Sequence, residues 1–184
     1  MRKFLTKSRP RTLKKISALF FASLFVLFVR PIFAEEGGAG MKITSAVFGQ
    51  NTMIPSKYTC QGEDVSPPLA IEGIPPGTKS LALIIDDPDA PMGTWVHWVL
   101  FNIPVTNQIA EGSIPGKQGR NDFGKNDYGG PCPPSGTHRY FHKIYALDTI
   151  LDLKEGVSKK EVERAMEGHI LDKAEIIGLY KKTN

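Results

Sequence analysis

The sequence is poor in cysteine, has no acidic residue in its first 34 positions and contains no apolar run long enough for a membrane-spanning helix. Two cysteines, Cys60 and Cys132, are too few for a zinc site made of cysteine alone. The longest largely apolar run, residues 16–29, has 14 residues, whereas about 20 are needed to cross a bilayer. A G-x-S-x-G motif and an internal repeat are also missing. These absences disfavour a zinc protein, an α/β-hydrolase and a repeat protein.

The first 34 residues have the three-part pattern of an export signal. A basic segment, MRKFLTKSRPRTLKK, precedes the apolar run, and RPIFA follows it and ends on a small residue. We predict a signal peptide over residues 1–34 that is cleaved after Ala34, a flexible linker over 35–40 and one domain over 41–184. The mature protein is expected to be periplasmic or secreted. An uncleaved anchor is the alternative, disfavoured by the short run and by Arg30.

The charge balance changes sign when this segment is set aside. The full chain has 23 basic and 19 acidic residues, a net charge of +4. Eight of the bases lie in residues 1–34, so 15 remain against 19 acids, a net charge of −4. The basic excess therefore belongs to targeting, and the predicted domain lacks the charge signature of a protein that binds nucleic acid or anionic membranes.

Short β-type runs separated by Pro/Gly turns fill most of the predicted domain. Their branched and aromatic residues favour a mostly β fold, an antiparallel sandwich of two sheets with peripheral short helices, over alternating βαβ units. A C-terminal helix is indicated by the capping box from Ser158 to Glu161. Its expected apolar face is Val162, Ala165, Met166 and Ile170, and the expected final strand is AEIIGLY at 174–180. The other expected strands lie in MKITSAVF, PLAIEGI, KSLALIID, TWVHWVLFNI and RYFHKIYALD.

Two of these runs carry polar groups suited to a binding site. His97 lies in an apolar run just after the acidic turn DDPDAP. Side chains alternate along a strand, so His138 and Tyr140 should share a face at about 6.6 Å spacing, which one small anion can bridge. Asp87 shares the parity of the apolar residues before it, which adds a carboxylate to the candidate site.

Other interpretations of the same residues stay open at this point. A single histidine on an apolar strand is commonly a hydrogen-bonded core residue. A hydrolase using Ser135 with a histidine and an aspartate lacks a nucleophile motif. A His/His/Asp metal site has suitable ligand types, but no helical segment carries a histidine pair at metal-binding spacing.

Longer blocks of the sequence resemble a known family. DDPDAP, WVHW and GGPCPPSGTHRY are similar to signature blocks of the phosphatidylethanolamine-binding proteins, the family of Raf kinase inhibitor protein. YTCQGEDVSPPL and GTKSLALIIDDPDAP resemble its bacterial YbhB/YbcL-type branch. The resemblance runs in order from about Met41 to Tyr180. It implies a two-sheet β fold with a small anion pocket at the surface.

The resemblance also implies roles for particular residues. By motif, Asp87, His97, His138 and Tyr140 match the family's phosphate- or acetate-binding residues. Cys132 stands where the family often has glycine, next to the paired prolines, and is included among the candidate ligand contacts. The implied ligand is a small anion, such as a phospholipid headgroup or another phosphorylated molecule. No enzymatic activity, metal or cofactor is expected.

Four further expectations follow from the resemblance and from these residues. Family members act as inhibitors of kinases or proteases, so a stoichiometric inhibitor is the second candidate function. Asp87 should accept a hydrogen bond from a histidine, with His97 as the expected partner, and raise its pKa. Cys60 and Cys132 form either a disulfide or two free loop thiols. His142 stands where an apolar or aromatic residue is expected.

Overall fold

A computed structural model describes residues 40–183, and the predicted signal peptide and nearly all of the predicted linker lie outside this range. Within it, the chain forms nine strands, one short 3-10 turn (Ser56–Tyr58) and one α-helix. In the described range, no helix is long and apolar enough to span a membrane. The strands are β1 (Lys42–Thr44), β2 (Thr52–Met53), β3 (Leu69–Glu72), β4 (Ser80–Asp87), β5 (Trp95–Ile103), β6 (Gln108–Ile109), β7 (Lys117–Gln118), β8 (His138–Leu147) and β9 (Ile170–Tyr180), and the helix is α1 (Lys159–Met166).

The strands form two sheets, which confirms the predicted fold class. The small sheet has the order β1-β3-β6 and the large one β2-β9-β8-β4-β5-β7. All pairings are antiparallel except β2 with β9. The two-residue strands β2, β6 and β7 were not predicted, because two residues are too few to show an alternating pattern.

The large sheet is buried on both faces, so the domain has three layers. One face packs against the small sheet through side chains such as Leu83, Leu100 and Ile71. The other face packs against α1 through Ile84, Val99 and other apolar residues. All eight residues of β4 are buried, as expected for a strand at the centre of such a stack.

The helix begins as predicted but ends earlier. The Ser158 side chain accepts from the Glu161 amide, and the Glu161 carboxylate accepts from the Ser158 amide, which confirms the capping box. Including Ile170 in the apolar face of the helix was wrong. Gly168 adopts φ 77°, a left-handed conformation that terminates the helix, and Ile170 begins β9 with 42% of its surface exposed. The last strand thus starts four residues before the predicted 174.

Two adjacent aspartates at the end of β4 point to opposite faces of the large sheet. Asp86 lies on the helix side, fully buried, where its carboxylate accepts from Lys143 at 2.7 Å and also pairs with Lys159 of α1. Asp87 faces the other way. A buried carboxylate requires such partners, so these contacts fix the end of β4 from the helix side.

Candidate functional site

The polar residues singled out in the sequence meet at one end of the large sheet. β4 runs antiparallel to both β5 and β8, so the end of β4 lies beside the beginnings of the other two strands. A cavity of about 300 Å³ opens there. The predicted residues Asp87, His97, Cys132, His138 and Tyr140 all line it. Its remaining walls are mostly apolar and include Pro91, Met92, Trp95, Phe123, Pro133 and Pro134.

The start of β8 follows the predicted alternation. His138 and Tyr140 are buried on the cavity side, whereas Arg139 between them is exposed. Arg139 forms a two-point ion pair with Asp89, at 2.7 and 2.9 Å, and its amide also donates to that carboxylate. This pair ties the beginning of β8 to the turn that follows β4.

An irregularity in β5 turns His97 towards the cavity. Ile85 of β4 is opposite Trp98, but the next residue, Asp86, is opposite Val96, so His97 is an extra residue between two pairs. Such a β-bulge changes the phase of side-chain alternation. As a result His97 points to the same side of the sheet as Trp98, and its ring meets that of Tyr140 edge to face at 5.2 Å.

His97 is hydrogen-bonded to a backbone carbonyl rather than to Asp87, so the predicted pairing was wrong. Its Nδ1 lies 2.6 Å from the Gly129 carbonyl oxygen. The expected direction of the pKa shift was also wrong. Only 3% of His97 is exposed, and burial lowers its pKa from the ordinary value despite the opposing effects of Gly129 and Asp87.

Asp87 instead pairs with His138. The carboxylate Oδ2 lies 2.7 Å from His138 Nδ1, and Oδ1 accepts from the Asp89 amide at 2.8 Å. A carboxylate can only accept, so His138 Nδ1 carries hydrogen and Nε2 is the ring nitrogen left for the cavity. Because both oxygens of Asp87 already accept hydrogen bonds from the protein, its negative charge is largely compensated before any ligand arrives.

The Tyr140 hydroxyl has no hydrogen-bond partner of normal geometry among residues 40–183, although the side chain is fully buried. It lies close enough to Asp87 and to the Cys132 amide for both to affect its pKa. Burial, followed by the Asp87 charge, raises the pKa of this phenol far above its ordinary value. Tyr140 is therefore a neutral hydroxyl with an available hydrogen.

Cys132 forms a disulfide with Cys60, so of the two predicted alternatives, a disulfide or two free thiols, the structure has the disulfide. Their Cα atoms are 5.4 Å apart, within the usual range. The cavity-lining loop that contains Cys132 is further held by a hydrogen bond from the Gly130 amide to Asp64. A Cβ on Gly130 would lie 2.7 Å from the Tyr58 carbonyl oxygen, so only glycine permits this approach.

Sequence reasoning missed two groups that shape the site. Gly129 supplies the carbonyl that orients His97, and in the sequence it is only one residue of a glycine-rich loop, which does not identify a specific acceptor. Phe123 packs edge to face on both His97 and Trp95, at 5.4 Å from each, and nothing in its sequence context indicates this.

Ser135 is exposed and does not line the cavity. In the described range, no group of three His, Cys, Asp or Glu residues could hold a metal ion.

Comparison with known proteins gives a consistent result across sequence and structure. The family described as phosphatidylethanolamine-binding protein matches residues 44–181. A UPF0098 protein from Pyrococcus horikoshii is 47% identical over 191 residues, covering 97% of this chain and 96% of its own. Another from Aquifex aeolicus is 51% identical over 158 residues, covering 80% and 92%.

Two solved structures are similar to this fold. A phosphatidylethanolamine-binding protein homologue from Chlamydia trachomatis gives a TM-score of 0.76 at 44% identity, covering 78% of this chain and 99% of that one. YbcL from E. coli, described as a member of the mammalian family of such proteins, gives 0.73 at 31% identity, covering 79% and 100%.

Proposed function

Because the chain belongs to the phosphatidylethanolamine-binding protein family, we propose that its cavity binds a small anion, such as the phosphate of a phospholipid headgroup or of another phosphorylated ligand. In this proposal the protein binds the ligand without transforming it. The Tyr140 hydroxyl carries the proposal, because it is buried, lines the cavity and has no partner among the described residues. A buried hydroxyl without a partner is costly, and a ligand oxygen would satisfy it.

The two imidazoles support the same conclusion. Each uses Nδ1 for a contact inside the protein, so Nε2 is the nitrogen available to the cavity. A positive charge on His138 would be balanced by Asp87, and its Nε2 would then donate to an anionic oxygen. Hydrogen bonds to charged groups contribute about 1.5–3 kcal/mol each, enough for a small ligand to be held by two or three of them.

The Tyr140 hydroxyl can be tested by a substitution that removes one oxygen atom. We expect Tyr140→Phe to weaken binding of phosphorylethanolamine about tenfold, the effect of one lost hydrogen bond of about 1.4 kcal/mol. His138→Ala should weaken the binding of phosphorylethanolamine about as much as Tyr140→Phe, or more. Isothermal titration calorimetry measures both. Tyr145→Phe is the matched control, because Tyr145 lies on the same strand but packs on the helix side.

Binding that is unaffected by both Tyr140→Phe and His138→Ala would contradict the proposal. The cavity residues would then serve only the fold. Turnover of the ligand by the wild-type protein that is lost in His138→Ala would instead indicate an enzyme.

Two apolar residues at the mouth of the cavity favour the second candidate, a stoichiometric protein inhibitor. Met92 is 95% exposed and Phe123 is 43% exposed, and both line the cavity. Exposed apolar side chains around a pocket are typical of a contact surface. A stable one-to-one complex with a kinase or protease, weakened by Met92→Ser, would support this function.

We also propose export, on the basis of the basic and apolar segments in residues 1–34 and of the Cys60–Cys132 disulfide, a bond typical of oxidising compartments. N-terminal sequencing of the exported protein should begin at Glu35. A product that retains Met1 and sediments with membranes would contradict cleavage after Ala34.

A further inference from the structure

The hydrogen bond of His97 determines what its free nitrogen can do. Nδ1 lies 2.6 Å from the Gly129 carbonyl oxygen. A carbonyl oxygen only accepts, so Nδ1 must carry the hydrogen of this bond. Nε2 then has a hydrogen only if the ring is cationic. In the neutral ring Nε2 is a hydrogen-bond acceptor.

The surroundings of His97 favour the neutral ring. Burial lowers its pKa and is the strongest influence on it, ahead of the Gly129 carbonyl and of the carboxylates Asp87, Asp86 and Asp64, which act in the opposite direction. The other titratable groups facing it are on β8: His138, Tyr140 and His142. At neutral pH the cavity therefore offers the Tyr140 hydroxyl as a donor and Nε2 of His97 as an acceptor.

We propose that the cavity selects anions that carry their own hydrogen-bond donor, such as hydrogen phosphate, and that His97 is the residue that determines this selectivity. Sulfate and dimethyl phosphate present only acceptors at neutral pH. Their oxygens would face the lone pair of His97 Nε2 unless the ring first takes a proton from water. Hydrogen phosphate supplies the hydrogen itself. The inference rests on the proposed anion binding and narrows it to phosphate groups that keep a hydrogen, which disfavours the phosphodiester of an intact phospholipid headgroup.

Three anions used as probes distinguish the effect of a hydrogen-bond donor on the ligand from the effect of the ligand's charge. Sulfate is a dianion without a hydrogen, dimethyl phosphate is a monoanion without one, and inorganic phosphate retains at least one hydrogen throughout the pH range 5.5–8. At pH 7.5 and constant ionic strength, we expect phosphate to bind at least about tenfold more tightly than either other anion, because an unpaired buried acceptor is expensive.

The pH profiles should also differ. Above the pKa of His97, binding of sulfate and dimethyl phosphate requires uptake of one proton, so their affinity should fall by up to about tenfold per pH unit. Phosphate should show a shallower profile. Inorganic phosphate itself loses a proton within this pH range, so the comparison that reports on His97 is between wild type and His97→Phe for each anion.

Substitutions of His97 complete the test. In His97→Phe the acceptor is lost, and the phosphate-to-sulfate affinity ratio should fall to about one. In His97→Gln the amide can accept or donate, so sulfate binding should no longer depend on a proton taken up at this position. Tyr140→Phe is the control that should weaken all three anions and preserve the ratio.

The outcomes distinguish this inference from the proposed function. Equal affinities with parallel pH profiles for phosphate, sulfate and dimethyl phosphate would overturn the inference and leave anion binding intact. Failure of phosphate and of phosphorylethanolamine to bind would overturn the proposed function. A ratio that stays unchanged in both His97→Phe and His97→Gln would show that another group sets the preference.

Discussion

Wild-type protein is expected to lose on the order of 3 kcal/mol of folding free energy between pH 6.5 and pH 4 through His142 alone. This side chain is buried, its ring lies 5.1 Å from that of Phe48, it is opposite Ile176 of β9, and its Nε2 has no partner among the described residues. Burial lowers its pKa to about 4. As pH falls below about 6.5, the unfolded chain binds a proton that the folded protein does not, and each pH unit costs about 1.4 kcal/mol.

Urea denaturation from pH 8 to pH 4 should therefore separate wild type from His142→Leu. Above pH 6.5 the contribution of His142 is constant, because the ring is neutral in both states. The variant should lose less stability on acidification, and at pH 7 it should be slightly more stable because an unpartnered buried nitrogen has been removed. His169→Leu, at an exposed histidine, is the control. Parallel pH profiles for wild type and His142→Leu would contradict the prediction.

The second large effect is expected from removal of the disulfide. Cys60 and Cys132 are 72 residues apart, and in the chain-entropy model closing a loop of this length stabilises the fold by about 4 kcal/mol. Cys60→Ser combined with Cys132→Ser should lower the free energy of unfolding by about this amount. Ligand binding should also weaken, because Cys132 lines the cavity and its loop contains the Gly129 carbonyl.

Reduction of the wild-type protein offers an independent comparison. Dithiothreitol should lower its urea midpoint towards that of the double variant, while the double variant itself should not respond. Alkylation with mass spectrometry verifies that the bond was reduced. A fully reduced wild-type protein with an unchanged midpoint would show that the disulfide contributes little.

Regular patterns in the sequence predicted local features well. Alternation placed His138 and Tyr140 on one buried face of β8, and the capping box placed the start of α1. The alternation and the capping box are both patterns among residues that lie within a few positions of each other in the sequence. The fold class could be predicted for the same reason, since strand-type runs and turns follow each other along most of the domain.

The orientation of His97 could not be predicted in this way. Trp98 and Leu100 pack between the sheets, so strict alternation would place His97 with Val99 on the helix side. The bulge reverses this, and it depends on how β5 pairs with β4. The partner of Asp87 was missed for a related reason, because it depends on the register of three strands at once.

Some residues around the cavity lie on strands and others lie on loops. This difference affects how the ligand preferences of related proteins can come to differ. Asp87, His97, His138 and Tyr140 belong to three strands of a sheet that is packed on both sides, whereas Met92, Phe123 and Pro134 belong to connecting loops. Loops tolerate substitutions and insertions that packed strands do not. Under the proposed function, related proteins can therefore keep the strand residues that form the floor of the cavity and acquire different ligands by changing only the loops at its mouth.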